Sequence, residues 1–227
     1  IDIFLIITKK NKAKTKVNFF LLKYLIKFDF FSLLKFIFII LKKKIRQIFF
    51  NIGLSNSPIT VSDFAKFNNI NFFYYSKIKK KEIINKVKKF KPDYIVNSSP
   101  IYFDKKLLEL PKYFCINRHS SILPSYGGLL PVFHMIKDKN KFYGVSLIKM
   151  SSKIDKGKII SQKIFYDNSK NMFQIYKRTF KYSELLFDKF LFKKKREVIK
   201  KKNNSSYFGI PSYDDEKKFY YEKGKII

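Results

Sequence analysis

Asn117 and His119 stand two residues apart at the end of an apolar run, in the stretch CINRHSSILPSYGGLLP (115–131). Side chains alternate along an extended chain, so these two project the same way. An amide N–H can stabilise an oxygen that gains negative charge, and an imidazole can accept or relay a proton near neutral pH. A carboxylate that orients the ring, or takes up the proton later, would complete the set. Asp155 is the candidate, in the sequence IDKG, where Gly157 permits a tight turn. The same spacing also fits a hydrogen-bonded core histidine, a loop-capping asparagine and an ordinary turn aspartate. Residue types and spacing leave both readings open. Cys115, inside the apolar run, reads as a buried and inert thiol. His134, between Phe133 and Met135, reads as packing rather than as a ligand. No serine sits in a G-x-S-x-G elbow, and no glycine fingerprint for phosphate or dinucleotide is present.

For three such groups to meet, several strands must deliver their ends to one place. Strand character falls at 1–8, 70–76, 92–99, 113–119, 142–150 and 157–166. Helical periodicity falls at 77–90, where Ile78, Ile83, Ile84 and Val87 share a face, and at 171–194. A short helix in DKKLLELP stops at Pro111, and another starts at Pro131. Ser62 and Asp63 are candidate helix caps. Alternating strands and helices imply an α/β fold with a doubly wound, mostly parallel sheet. Ligands in such sheets lie beyond the carboxyl ends of the strands. The loops after 92–99, 113–119 and 142–150 are therefore expected to form one pocket.

The 227 residues, 46% of them hydrophobic and 19% aromatic, exclude a disordered chain and allow one sizeable core. We expect a catalytic α/β domain over 1–195 and a short polar tail over 196–227. Residues 17–50 form an apolar helical insertion broken by Lys23, Lys27, Asp29 and Lys35, with Phe36–Leu41 its longest uncharged run. A spanning helix needs about 20 apolar residues, so we expect packing on the core rather than a membrane span or a membrane-surface helix. One cysteine excludes a disulfide framework and suits a reducing cytoplasm, and two histidines are too few for a His/Cys zinc site. No metal is expected. The chain starts at Ile1, and IDIFLIIT lacks the basic flank of a signal peptide. The net charge of +32 would suit nucleic acid, anionic lipid or an anionic substrate. The excess is nearly all lysine, with arginine only at Arg46, Arg118, Arg178 and Arg196, so composition bias is the simpler account.

The motif INRHSSILPSYGG, followed by a proline-started helix, resembles the signature of the folate-dependent formyltransferase family, N-I-H-x-S-L-L-P-x-Y-R-G. YGVSLIKMSSKIDKGKIISQ resembles that family's second motif, and KPDYIVNSS its K-P-D-[LV]-I-V strand. The C-terminal YFGIPSYDDEKKFYYEKGKII resembles the tail of stand-alone sugar-modifying members, so the resemblance covers about residues 60–227. It implies a Rossmann-like domain, 10-formyltetrahydrofolate as formyl donor, and an amine that attacks the formyl carbon. Carried over residue by residue, Asn117 would hold the tetrahedral oxyanion. His119 would act as acid, base or electrostatic stabiliser, and Asp155 would orient His119 and help remove the amine proton. The resemblance puts the pterin against Ile101, Tyr102 and Phe103 and against the backbone of Ser151, Ser152 and Lys153. Leu123 and Pro124 match the loop that shapes the pocket floor.

Two residues depart from the pattern. Arg118 replaces an apolar residue and is expected to face away from the pocket, and Gly127 replaces the arginine of Y-R-G. The family's first strand and helix have no counterpart before 1–8, so the expected sheet lacks them. The acceptor implied is an amino sugar, most readily a nucleotide-linked one, because 196–227 is too short for the C-terminal β-barrel of methionyl-tRNA formyltransferases. That tRNA-directed activity is the alternative, favoured by the basic charge. A truncated or inactive paralogue is the second alternative. Sugar-modifying relatives often form homodimers, which makes a second copy of the chain an expected partner.

Overall fold

The computed structural model describes residues 3–7, 30–74, 80–98, 102–192 and 205–226. Two units make up the chain, Ile1–Lys86 and Val87–Ile227.

In the first unit β1 (Phe4–Ile7) pairs in parallel with β2 (Asn71–Tyr74), Leu5 opposite Phe72 and Ile6 opposite Phe73. Between them lie α1 (Phe30–Asn51) and α2 (Val61–Phe67). The cap of α2 is Thr60, two residues upstream of Ser62, the first of the expected residues. The Thr60 hydroxyl accepts from the Asp63 N–H at 3.1 Å, and Asp63 Oδ2 accepts from the Thr60 N–H at 2.9 Å. This is a capping box, which places Asp63 at the third helical position rather than at the cap. Of the apolar segment 17–50, residues 17–29 lie outside the described residues. Leu34, Phe38, Leu41, Ile45 and Ile48 of α1 are exposed, contrary to the expected packing on a core. Among the described residues of this unit, a two-stranded sheet and one short helix offer too little surface to bury a helix of 22 residues. No described helix is long and apolar enough to cross a membrane.

Helix α3 (Lys80–Phe90) follows and buries Ile83 and Val87, as its period requires. The second unit is then built on β3 (Tyr94–Asn97), the short α4 (Lys105–Leu108), β4 (Phe114–His119), β5 (Gly127–Gly128), α5 (Pro131–Lys137), β6 (Phe142–Lys149), β7 (Ile159–Tyr166), α6 (Met172–Leu191), β8 (Tyr207–Phe208) and α7 (Tyr213–Tyr221). Its main sheet has the order β3–β4–β6–β7. β3 and β4 run parallel, with Asn97 opposite Asn117.

The α/β class expected from the sequence is observed, with parallel pairing in β1/β2, β3/β4 and β5/β8. The sheet is not parallel throughout. β6 runs antiparallel to β4, with Ser146 opposite His119, and β7 runs antiparallel to β6. After β4 the chain turns at the same end of the sheet and re-enters beside His119, instead of crossing over to restart at the far end. β7 follows through a hairpin closed by Lys149 N–H to Lys158 O at 2.8 Å.

Helix α6 covers one face. Its cap is Asn171, whose Oδ1 accepts from the Gln174 N–H at 2.9 Å. Its buried stripe of Ile175, Thr179, Ser183, Leu186 and Phe190 has helical spacing. Leu186 and Phe190 pack on Ile116, Val145, Leu147 and Ile160. Each such side chain contributes about 1.5–3 kcal/mol on burial. The described part of the C-terminal segment folds onto this unit. β8 pairs in parallel with β5, Gly127 opposite Tyr207 and Gly128 opposite Phe208. In α7, Phe219 stacks on Phe133 with ring centroids 4.5 Å apart, and Lys137 Nζ donates to Asp215 Oδ1 at 2.8 Å.

Candidate active site

β4 alternates as its sequence predicts. Ile116 joins the core under α6, and Arg118, on the same side of the strand, has its guanidinium 3.8 Å from the Phe180 ring centre. Asn117 and His119 take the other side and meet Asp155. Asn117 Nδ2 donates to Asp155 Oδ1 at 3.3 Å, and His119 Nδ1 lies 3.6 Å from the same oxygen. The second separation is too long for a direct hydrogen bond, though short for an ion pair once the ring is protonated. The side chains of His119 and Asp155 are 9% and 6% exposed, so little water screens them.

Asp155 does not arrive as strand order suggested. β6 runs opposite to β4, so the loop after it starts at the wrong end of the sheet. Met150 N–H donates to Cys115 O at 2.8 Å, and the loop then folds back to carry Asp155 to Asn117. Gly157 permits this, because a Cβ there would sit 1.7 Å from Lys149 O. Asp155 itself has φ 53, a left-handed conformation that aspartate tolerates better than most residues. Its Oδ2 accepts from the Gly128 N–H at 2.8 Å.

His119 is oriented by a group the sequence does not advertise. Its Nε2 lies 2.9 Å from the carbonyl oxygen of Tyr126. A carbonyl only accepts, so Nε2 carries the proton, and in the neutral ring Nδ1 keeps its lone pair toward Asp155. Tyr126 has φ 59 and is fixed at three points. Its N–H donates to Ser206 Oγ at 2.8 Å, its hydroxyl donates to Asp138 Oδ2 at 3.1 Å, and Asn140 Nδ2 donates to that hydroxyl at 2.7 Å. Burial, with the Asp138 charge beside it, pushes its phenol up to about 12.

These groups open on a cavity of about 500 Å³ whose lining includes Asn97, Ser98, Tyr102, Phe103, Ile148, Met150, Ser151, Lys153 and Tyr207. Asn117, His119 and Asp155 line it together. Of the residues assigned to the donor, Tyr102, Phe103, Ser151 and Lys153 line it, Ser152 is exposed outside it, and Ile101 lies outside the described residues. Leu123 and Pro124 do not line it. Leu123 is buried behind it, where its N–H donates to Ser146 Oγ at 3.1 Å and its carbonyl accepts from Gln162 Nε2 at 2.7 Å. The loop therefore supports the wall instead of forming the floor. Arg118 does line the cavity, although it leaves β4 on the α6 side, because the cavity wraps around the end of the strand to Tyr176 and Phe180. Cys115 is buried, and burial pushes its thiol up to about 12, which makes it inert. His134 stacks on Phe208, ring centres 4.3 Å apart. No group of three or more metal-ligating side chains occurs among the described residues.

A family model described as formyl transferase matches residues 49–183. The chain belongs to the formyl transferase family. A methionyl-tRNA formyltransferase of Thermotoga maritima is 31% identical over 145 residues, which is 63% of this chain and 46% of that protein. The formyl transferase fold recurs in the crystal structure of phosphoribosylglycinamide formyltransferase from Bacillus halodurans, with TM-score 0.50 and 20% identity over 58% of this chain and 74% of that one. An N-formyltransferase from Helicobacter canadensis, in complex with folinic acid and dTDP-3-aminofucose, aligns with TM-score 0.50 and 22% identity over 66% of this chain and 54% of that one. This formyl transferase chain spans about a quarter to a half of the length of the curated relatives it matches. The matched segment ends at 183, so Ser206, Tyr207 and Phe208 reach the site from outside it.

Proposed function

We propose that the protein transfers a formyl group from 10-formyltetrahydrofolate to the amine of a nucleotide-linked amino sugar. The observation that carries this reading is the Asn117–Asp155–His119 cluster lining one cavity. A cavity of about 500 Å³ is within the range that encloses such ligands, and its mixed aromatic and polar wall suits a pterin. Tyr102 and Phe103 offer ring faces to that group, while the backbone around Ser151 and Lys153 offers hydrogen bonds to its edge. The donor supplies an activated formyl carbon.

The residues of the chain divide the remaining work. Asn117 gives one amide proton to Asp155 and keeps a second for the formyl oxygen as it gains charge. His119 Nδ1 and Asp155 Oδ1, 3.6 Å apart, receive the proton that the attacking amine loses as its new bond to carbon forms. The bond from the formyl carbon to the donor nitrogen then breaks, and the same proton returns to that nitrogen. Tyr126 O holds the ring throughout, so that Nδ1 rather than Nε2 does this work.

Tyr207 presents an exposed ring at the cavity, suited to stacking on a nucleobase. A second reading, with methionyl initiator tRNA as acceptor, is favoured by the net charge of +32 and by relatives such as that of Thermotoga maritima. The test is tetrahydrofolate release with a panel of nucleotide-linked amino sugars and with charged initiator tRNA. Turnover with a sugar supports the first reading. Turnover with tRNA alone replaces it with the second. Failure of 5-formyltetrahydrofolate to bind at all removes both.

A further inference from the structure

The α6 side of the main sheet carries an apolar layer of Ile116, Val145, Leu147 and Ile160. Arg118 stands at its end, opposite Leu147 in the strand register. A guanidinium has five N–H donors and a permanent charge. Here Nη1 and Nη2 both point at a single acceptor, Ser120 Oγ, at 3.1 and 2.7 Å. That hydroxyl is held in turn 3.2 Å from Thr179 Oγ1. Nε is buried and has no hydrogen-bond partner. No carboxylate among the described residues lies within ion-pair distance of Arg118. Burial lowers its affinity for its proton, with the nearby Tyr176 acting the other way. Asp155, the acidic residue among those lining the cavity, is taken up by Gly128 and Asn117 on the opposite side of the strand.

Arg118 is half-buried, and a cation held partly out of water without a counter-charge carries a cost that an arriving anion would relieve. The place is accessible to a ligand, because Arg118, Ser120, Tyr176 and Phe180 line the same cavity as Asn117 and His119. Phe180 stacks on the guanidinium and fixes its plane, which favours two-point binding of a planar or tetrahedral oxyanion. We infer that Arg118, with Ser120 beside it, is an oxyanion subsite for the acceptor substrate. It grips a phosphate or carboxylate of that molecule around the end of β4 from the reacting groups. This inference rests on the formyl-transfer reading for its choice of acceptor, not for the presence of the subsite.

The experiment is calorimetric titration of the full chain with inorganic pyrophosphate and with glutarate, at 5-formyltetrahydrofolate saturation and without it, in added salt that suppresses diffuse lysine binding. Wild type should bind one of the two anions; which one distinguishes a phosphate from a carboxylate source. Arg118→Met should weaken that binding at least about tenfold, and Arg118→Lys, which keeps the charge but not the fork, should fall between. Both variants should keep wild-type melting temperature, since methionine fits an apolar layer, and wild-type affinity for 5-formyltetrahydrofolate. Equal anion binding by Arg118→Met would assign the effect to diffuse lysine charge and overturn the subsite. Loss of 5-formyltetrahydrofolate affinity, with binding of its analogue lacking the glutamate retained, would move Arg118 to the donor's tail and overturn the acceptor assignment. If 5-formyltetrahydrofolate never binds, the formyl-transfer reading fails, while the anion titration still decides the subsite.

Discussion

Asp155→Asn isolates charge from shape. The replacement keeps an oxygen for the Gly128 N–H, now 2.8 Å from Oδ2, and nearly the same volume. It removes the negative charge 3.6 Å from His119 Nδ1. Opposite unit charges at that separation attract by about 4–5 kcal/mol in an effective dielectric of about 20. About half of that, roughly 2 kcal/mol, belongs to a transition state in which the proton has moved only part of the way. The variant's amide also brings a donor toward Asn117 Nδ2, whose bond to Asp155 spans 3.3 Å, and lost alignment adds about 1 kcal/mol. The sum of about 3 kcal/mol is a rate loss of about two orders of magnitude. Single-turnover formyl transfer, at saturating donor and with the acceptor found by the panel, measures it. Melting temperature and 5-formyltetrahydrofolate affinity show that the site still forms. A folded variant that binds donor and keeps more than about a third of wild-type rate would refute the proton-handling role of Asp155.

Two further perturbations test how the site is held. Gly128→Ala places a Cβ 2.0 Å from Phe208 O at a residue with φ 94, so urea titration should show a loss of more than about 2 kcal/mol, with residues 205–226 released to protease. Wild-type stability would contradict the β5/β8 pairing. Asp215→Asn tests the tie between α5 and α7. Lys137 beside Asp215 holds its carboxyl down at about 2, against an ordinary 3.8. A depressed folded value stabilises above the unfolded one and is lost as pH falls through about 2, so wild type should exceed the variant by about 1 kcal/mol at pH 6, with the two converging toward pH 2. A constant difference over that range would show that the charge pair is not its source.

Much of the site was legible because chemistry and period coincide in β4. Apolar residues fix Ile116 inward, alternation then fixes Asn117 and His119 to the other side, and Gly157 marks the turn that brings Asp155. What escaped the sequence has no side-chain signature. Tyr126 acts on His119 through a backbone carbonyl, and any residue has one. Gly128 acts on Asp155 through an N–H. The direction of β6 was not legible either, since a hairpin and a crossover both need a strand with the same composition at 142–149. Thr60, outside the helical period, caps α2 in preference to Ser62 because the box needs its partner three residues on, and only Asp63 supplies it. Leu123, carried over from a motif, turned out to brace the wall through Ser146 and Gln162, while the Pro124 carbonyl accepts from the Ser206 N–H at 3.3 Å.

The pin between Tyr126 and Ser206 joins residues 80 apart. A polypeptide emerges from the ribosome in order, so Asn117, His119 and Asp155 are all exposed to the cell before Ser206 exists. Until then Tyr126 has no anchor for its N–H, Gly127 and Gly128 have no neighbouring strand, and the imidazole has no fixed tautomer. The site is thus completed by a part of the chain made after all three of its motif residues, and a nascent or clipped protein carries the whole motif without its setting. Substitutions near 206–208 can for the same reason retune the imidazole while leaving every motif residue untouched.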